Sequence, residues 1–200
     1  MKKIILYVIL LTSTGYLFSQ KSYRILSKGS VKDNTSMLIW TRCPIANNGK
    51  PIQDFNCQGV KKLFSWSEAI SVCENLVHEG RSDWRLPNIK ELQSILFYNH
   101  YAADAEKCSE VVDSVFPNIV TSEECLDDWG TVHFWSSTTH KNDDPCGSKY
   151  AWFIDFKWGN TGFSMRNIYQ GPPGFFDPWD EAACIKLNDV KKFVRCVAGP

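Results

Sequence analysis

After its first twenty residues this 200-residue chain has no apolar run long enough to span a bilayer, which takes about 20 residues, and it has no closely spaced cysteine pair. The first absence argues against a membrane span in the mature protein. The second argues against zinc ribbons and thioredoxin-like centres, where two sulfurs a few positions apart must reach one small site. No charge of one sign dominates, since 22 Lys and Arg balance 22 Asp and Glu. Nucleic acid is therefore not an expected partner, because its binding rests on a basic face that neutralises phosphates. The doublets Lys61-Lys62 and Lys191-Lys192 are read as solvated surface. Also missing are internal repeats, a collagen Gly-X-Y tract, a glycine-rich phosphate cradle and a His-Glu-x-x-His motif. Four histidines occur, His78, His100, His133 and His140, with no compact ligand set around them. Ser136-Ser137 has no nucleophile-elbow glycines, so its hydroxyls are read as satisfying a strand. No metal, cofactor or catalytic residue is expected.

What the chain does have begins with a separate leader. Lys2 and Lys3 precede an apolar run from Ile4 to Leu11, and a small residue stands at Ser19. This is the pattern of a secretory signal peptide, residues 1–19, cut after Ser19; the competing reading is an uncleaved anchor. No cysteine follows the run, which argues against a bacterial lipid anchor there. The remainder, 20–200, is read as one domain. Removing the two leader lysines leaves it slightly acidic.

Eight cysteines follow the expected cut, at Cys43, Cys57, Cys73, Cys108, Cys125, Cys146, Cys184 and Cys196. Four disulfides in an oxidising compartment account for them, although roughly 105 pairings are possible. Cys73 lies on the apolar face of an expected helix and Cys196 in the strand-like end Phe193–Val197. Joining them would tie the start of the core to its finish and contribute on the order of 4 kcal/mol. Sequence neighbours suggest Cys43–Cys57, Cys108–Cys125 and Cys146–Cys184 for the rest.

Two helices are expected from capping boxes, Ser65-Trp66-Ser67-Glu68 and Asn88-Ile89-Lys90-Glu91. Trp66, Ala69, Ile70, Cys73, Leu76 and Val77 recur at helical spacing, with Gly80 as the stop. Ile89, Leu92, Ile95 and Leu96 line the second helix. Between them Asp83-Trp84-Arg85-Leu86-Pro87 sets an angle, Trp84 and Leu86 plugging the space beneath and Pro87 separating the two conformations. Strands are expected at Met37–Trp40, Phe134–Thr138 and Ala151–Lys157. The last would pair with Phe163–Arg166 across a turn from Trp158 to Gly162. Helices early and strands mostly late point to an α+β domain with an antiparallel sheet.

The order of these blocks carries a resemblance. Leu38-Ile39-Trp40 is followed by Trp66-Ser67-Glu68-Ala69, Trp84-Arg85-Leu86-Pro87 with Lys90-Glu91-Leu92, Phe116-Pro117-Asn118, Trp135-Ser136-Ser137-Thr138, Ala151-Trp152 and Val194-Arg195-Cys196-Val197. From about Val31 to Val197 the chain resembles the Lcl C-terminal domain family, named for the terminal domain of a bacterial collagen-like adhesin. The resemblance implies a C-type-lectin-like fold, with two helices on a small twisted antiparallel sheet, long disulfide-stapled loops, and a first helix joined to the last strand. It also implies a distant relation to formylglycine-generating enzymes, whose closely spaced cysteine pair is not found here. The named member binds sulfated polysaccharides and host surfaces; this chain is not basic overall and has no collagen tract. Calcium-type lectins carry Glu-Pro-Asn or Gln-Pro-Asp followed by Trp-Asn-Asp, and Trp158-Gly159-Asn160 is only a partial echo. Asp127-Asp128 and Asp143-Asp144 are read as solvated loop acids rather than calcium ligands.

Eight tryptophans is a high number for 200 residues. Trp40, Trp66, Trp84, Trp135 and Trp152 fall in structural blocks and are read as core. The candidates for ligand contact are Trp158 and Asn160 in the hairpin turn and Phe175, Phe176 and Trp179 in a stiff Gly-Pro-Pro-Gly loop. The competing reading folds those rings back onto the sheet. The expectation is an exported, non-catalytic adhesin-type module that binds glycan or a host or envelope protein. The alternatives are a structural component of the bacterial envelope and, third, a formylglycine-generating-like enzyme.

Overall fold

The computed structural model describes residues 22–26, 29–97, 112–117, 132–140, 150–157, 159–165, 168–169, 187–188 and 191–199. The expected leader, Cys108, Cys125, Cys146 and Cys184 lie outside them. The architecture is α+β with antiparallel sheets. A four-stranded sheet has the order β1 (Tyr23–Ile25), β2 (Ser30–Asp33), β3 (Ile39–Thr41), β9 (Val197–Ala198). A three-stranded sheet runs β4 (His133–His140), β5 (Tyr150–Asp155), β6 (Asn160–Met165), and β7 (Ile168–Tyr169) pairs β8 (Leu187–Asn188). Two strands thus precede the one expected first, and three precede the first helix. The single expected sheet is two sheets and a short pair.

Helix α1 spans Trp66–Glu74 and α2 spans Ile89–Ser94. Both start at the expected capping boxes. The Ser65 hydroxyl accepts the Glu68 amide while Glu68 accepts the Ser65 amide; Asn88 and Glu91 do the same. Helix α1 ends earlier than expected, at the cap Asn75, whose N–H reaches Ser71 O at 3.0 Å. Gly80 serves a different turn. His78 and Arg81 exchange backbone hydrogen bonds across Glu79 and Gly80, whose φ values of 50° and 75° make the turn left-handed. Leu76 is buried in the core and Val77 is exposed.

Trp84 and Leu86 are buried as expected. The Trp-Arg-Leu-Pro bridge meets β4 where the β4–β5 register shifts between Trp135 and Thr139. There Ser137 N–H donates to Pro87 O (2.8 Å), and Ile89 N–H to Thr138 Oγ1 (3.0 Å). Trp66 Nε1–H donates to Ser136 O (2.8 Å), and Ser136 Oγ–H to Trp152 O (2.8 Å). The Ser136 and Thr138 hydroxyls of this block satisfy backbone groups. The hairpin turn is tighter than expected, since Asn160 already pairs with Asp155 and Gly162 lies within β6.

The terminal segment organises the core. Thr41 N–H donates to Cys196 O and Ile45 N–H to Val194 O. Phe64 and Lys192 exchange bonds of 2.8 and 2.9 Å, as do Arg85 and Val197, and Phe193 bonds His133 O and Trp135 N–H. Side chains alternate along it with a period of two. Val194, Cys196 and Ala198 enter a cluster with Ala69, Cys73, Trp84 and Trp135. Phe193 and Val197 enter a second cluster with Trp40, Leu92, Ile95 and Phe134. Arg195 is buried on that side, its guanidinium 4.5 Å from the Phe116 ring. Disulfides Cys73–Cys196 and Cys43–Cys57 are both formed, so α1 is covalently joined to the terminal segment.

Candidate functional site

A groove of about 880 Å³ opens between the outer face of α1 and the turn Asn47–Lys50. The turn exists because Asn-Gly tolerates left-handed backbone: Gly49 has φ 73°, and Ala46 N–H bonds Lys50 O at 2.8 Å. It is set against the helix, with a Cβ at Gly49 meeting Val72 Cγ2 at 3.7 Å. One wall carries Asn47, Asn48 and Lys50, the other Ser71, Val72 and Asn75, and Phe64 and Leu76 lie at the base. The helix wall is held by Cys73–Cys196, and the turn by bridges from Ile45 to Pro51 and from Ala46 to Lys61. Glu68 also lines the groove, but its carboxylate is committed to the cap. The Ser65 amide holds it below the usual carboxylate range, with help from Lys62 and Lys191. A smaller apolar dish of about 380 Å³ adjoins at Asn47 and Asn48, lined by Ile52, Pro51 and Val60.

Two titratable clusters lie elsewhere. Lys192, expected on the surface, is buried: its ammonium sits 4.0 Å from the Phe153 ring centre and 4.9 Å from that of Trp135. Burial pushes the amine down to about 8, against the pull of Asp155. Asp155 Oδ2 lies 3.6 Å from His133 Nε2, and the His133 ring packs on Phe153 at 4.4 Å. With Lys192 only 5% exposed, this amine is enclosed rather than presented to a substrate. In the second cluster Ser30 Oγ–H donates to Glu79 Oε2, and Glu79 Oε1 lies 3.5 Å from His78 Nε2. The carboxylate stands between hydroxyl and imidazole, so the imidazole is not placed to take the serine proton.

Among the described residues no group of three or more His, Cys, Asp and Glu could hold a metal ion, and all four cysteines are in disulfides. Of the expected contact residues, Asn160 is exposed at the start of β6, opposite Asp155. Trp158, Phe175, Phe176 and Trp179 lie outside the described residues. Trp40, Trp84 and Trp135 are core, and Trp66 and Trp152 are partly buried. Sequence reasoning missed the groove. The available signal was Asn47-Asn48-Gly49, a turn dipeptide preceded by a second amide.

The model of the Lcl C-terminal domain matches residues 29–171. The match ends before the terminal segment that links the two core clusters. No curated protein and no solved structure matches the chain.

Proposed function

The chain belongs to the Lcl C-terminal domain family, and from that premise we propose that it is an exported, non-catalytic binding module of adhesin type on a C-type-lectin-like scaffold. It recognises glycan or protein at the cell surface. The observation that carries this reading is the groove beside α1, whose walls combine amides and hydroxyls over an apolar base, the composition of a recognition site. Two disulfides among the described residues support an oxidising destination. No helix among the described residues is long and apolar enough to cross a membrane. The α1-to-terminal-segment disulfide supports the lectin-type scaffold.

The test is a screen of the mature chain against immobilised glycans and extracellular-matrix proteins, run beside co-purification from envelopes. Saturable binding to one class supports the module. A silent screen with stoichiometric recovery of envelope proteins overturns it in favour of a structural role. Trp158→Ala and Trp179→Ala belong in the same screen, since a loss of binding at unchanged thermal stability would place those rings at the contact.

A further inference from the structure

Resting on the binding-module reading, we infer that the groove beside α1 takes a neutral oligosaccharide, one pyranose ring lying between Asn47 and Asn75 with its C–H face toward Val72. Three features of the groove select this ligand.

The first is which polar atoms are already committed. Asn75 donates its amide to Ser71 O at 2.8 Å and Ser71 Oγ at 3.2 Å, leaving its carbonyl oxygen as an acceptor. Asn48 Oδ1 accepts the Lys50 amide at 3.0 Å, leaving its NH₂ as a donor. Asn47 lines the same groove and makes no hydrogen bond through its carboxamide among the described residues, so it offers both. A sugar hydroxyl is both donor and acceptor, and vicinal hydroxyls need such mixed partners side by side.

The second is charge. The one carboxylate in the groove is committed to the α1 cap, and two ammonium groups also line it, Lys50 on the turn and Lys62, which lies 4.7 Å above the Phe64 ring. Flanking the inferred ring position, the groups left uncommitted are the uncharged carboxamides of Asn47, Asn48 and Asn75, and it is these that favour a neutral ring there.

The third is backbone. An extended peptide docks by adding a strand to an open sheet edge. Here one wall is a helix and the other a closed turn, with Ala46 N–H on Lys50 O and Gly49 N–H on Ala46 O. The groove offers side chains, not a strand edge.

The experiment titrates isotope-labelled mature chain with cellotetraose, with an N-acetylglucosamine tetramer and with a uronic-acid tetramer, following backbone amide shifts. The neutral tetramers are expected to move the amides of Asn47, Gly49, Ser71 and Asn75. Ser71→Trp, a change on an exposed position that fills the groove without emptying the core, should weaken binding by about tenfold or more. Asn47→Ala should weaken it with unchanged thermal stability. The inference is overturned if no neutral tetramer moves those amides, if only the acidic tetramer does, or if Ser71→Trp binds as wild type. In each of those cases a ligand found by the surface screen and still bound by Ser71→Trp leaves the module reading standing. If the screen is silent as well, both readings fall.

Discussion

Arg85 and Glu91 form a two-pronged ion pair, Nη1 to Oε2 at 2.8 Å and Nη2 to Oε1 at 2.7 Å, and the same carboxylate accepts the Asn88 amide at 2.8 Å. One side chain thus caps α2 and fixes the bridge that precedes it. The arginine and glutamate of the family-like blocks are therefore explained by architecture rather than by chemistry on a substrate.

Replacing Glu91 by Gln should cost about 2 kcal/mol in urea denaturation at neutral pH, because the cap and the fork weaken together. Burial raises the Glu91 carboxyl, but Arg85 and the Asn88 amide outweigh it and hold it below the usual range. A lowered folded value means stability that is present above the ordinary carboxylate range and lost as pH falls through the folded one. The gap between wild type and Glu91→Gln should narrow on acidification. A gap independent of pH would rule the ion pair out as its source.

The two disulfides should differ in weight. Cys73–Cys196 closes a separation of 123 residues and Cys43–Cys57 one of 14. Paired alanine variants should lose ~5 and ~3 kcal/mol respectively, if restriction of the unfolded chain dominates. Chemical denaturation under non-reducing conditions measures both, and a larger loss for Cys43–Cys57 would contradict this ordering.

Lys192 should make stability rise with alkalinity. Its folded value, about 8, lies below the ordinary 10.5, so between them the unfolded chain binds more protons. Stability should climb across that window, by on the order of 3 kcal/mol, and the contribution should be flat below it. Lys192→Met should remove the slope and be neutral or stabilising at pH 7, since it replaces a buried charge with a side chain of similar length. A parallel pH profile for both proteins would refute the buried-amine account.

A chain ending at residue 190 should not fold. Residues 192–197 hydrogen-bond to Thr41, Ile45, Phe64, Arg85, His133 and Trp135, and the truncation strips partners from all of them. Near-ultraviolet circular dichroism should show no cooperative transition; a native-like spectrum would show that the segment is dispensable.

Much of the local structure was legible beforehand. Both helix starts were readable because a capping box is a contact between residues three apart. Trp84 and Leu86 were recognisable as core from their place between two capped helices. The Cys43–Cys57 and Cys73–Cys196 pairs were suggested by proximity in sequence and by the face of α1, and both are formed. Less was legible where short strands without strong alternation are defined by their partners. β1 and β2 were missed, and α1 was drawn too long because Leu76 fits a helical pattern while actually packing from beyond the cap.

The amino-acid sequence by itself determined where the helices begin and which bridge joins them, because those outcomes depend on short-range geometry. Only the tertiary structure decided that Lys192 is enclosed by Phe153 and Trp135, that the terminal segment holds two core clusters together, and that Asn47 and Asn75 share a groove. Each of those results brings together residues far apart along the chain, and their burial is a property of the assembled surfaces, not of any one segment.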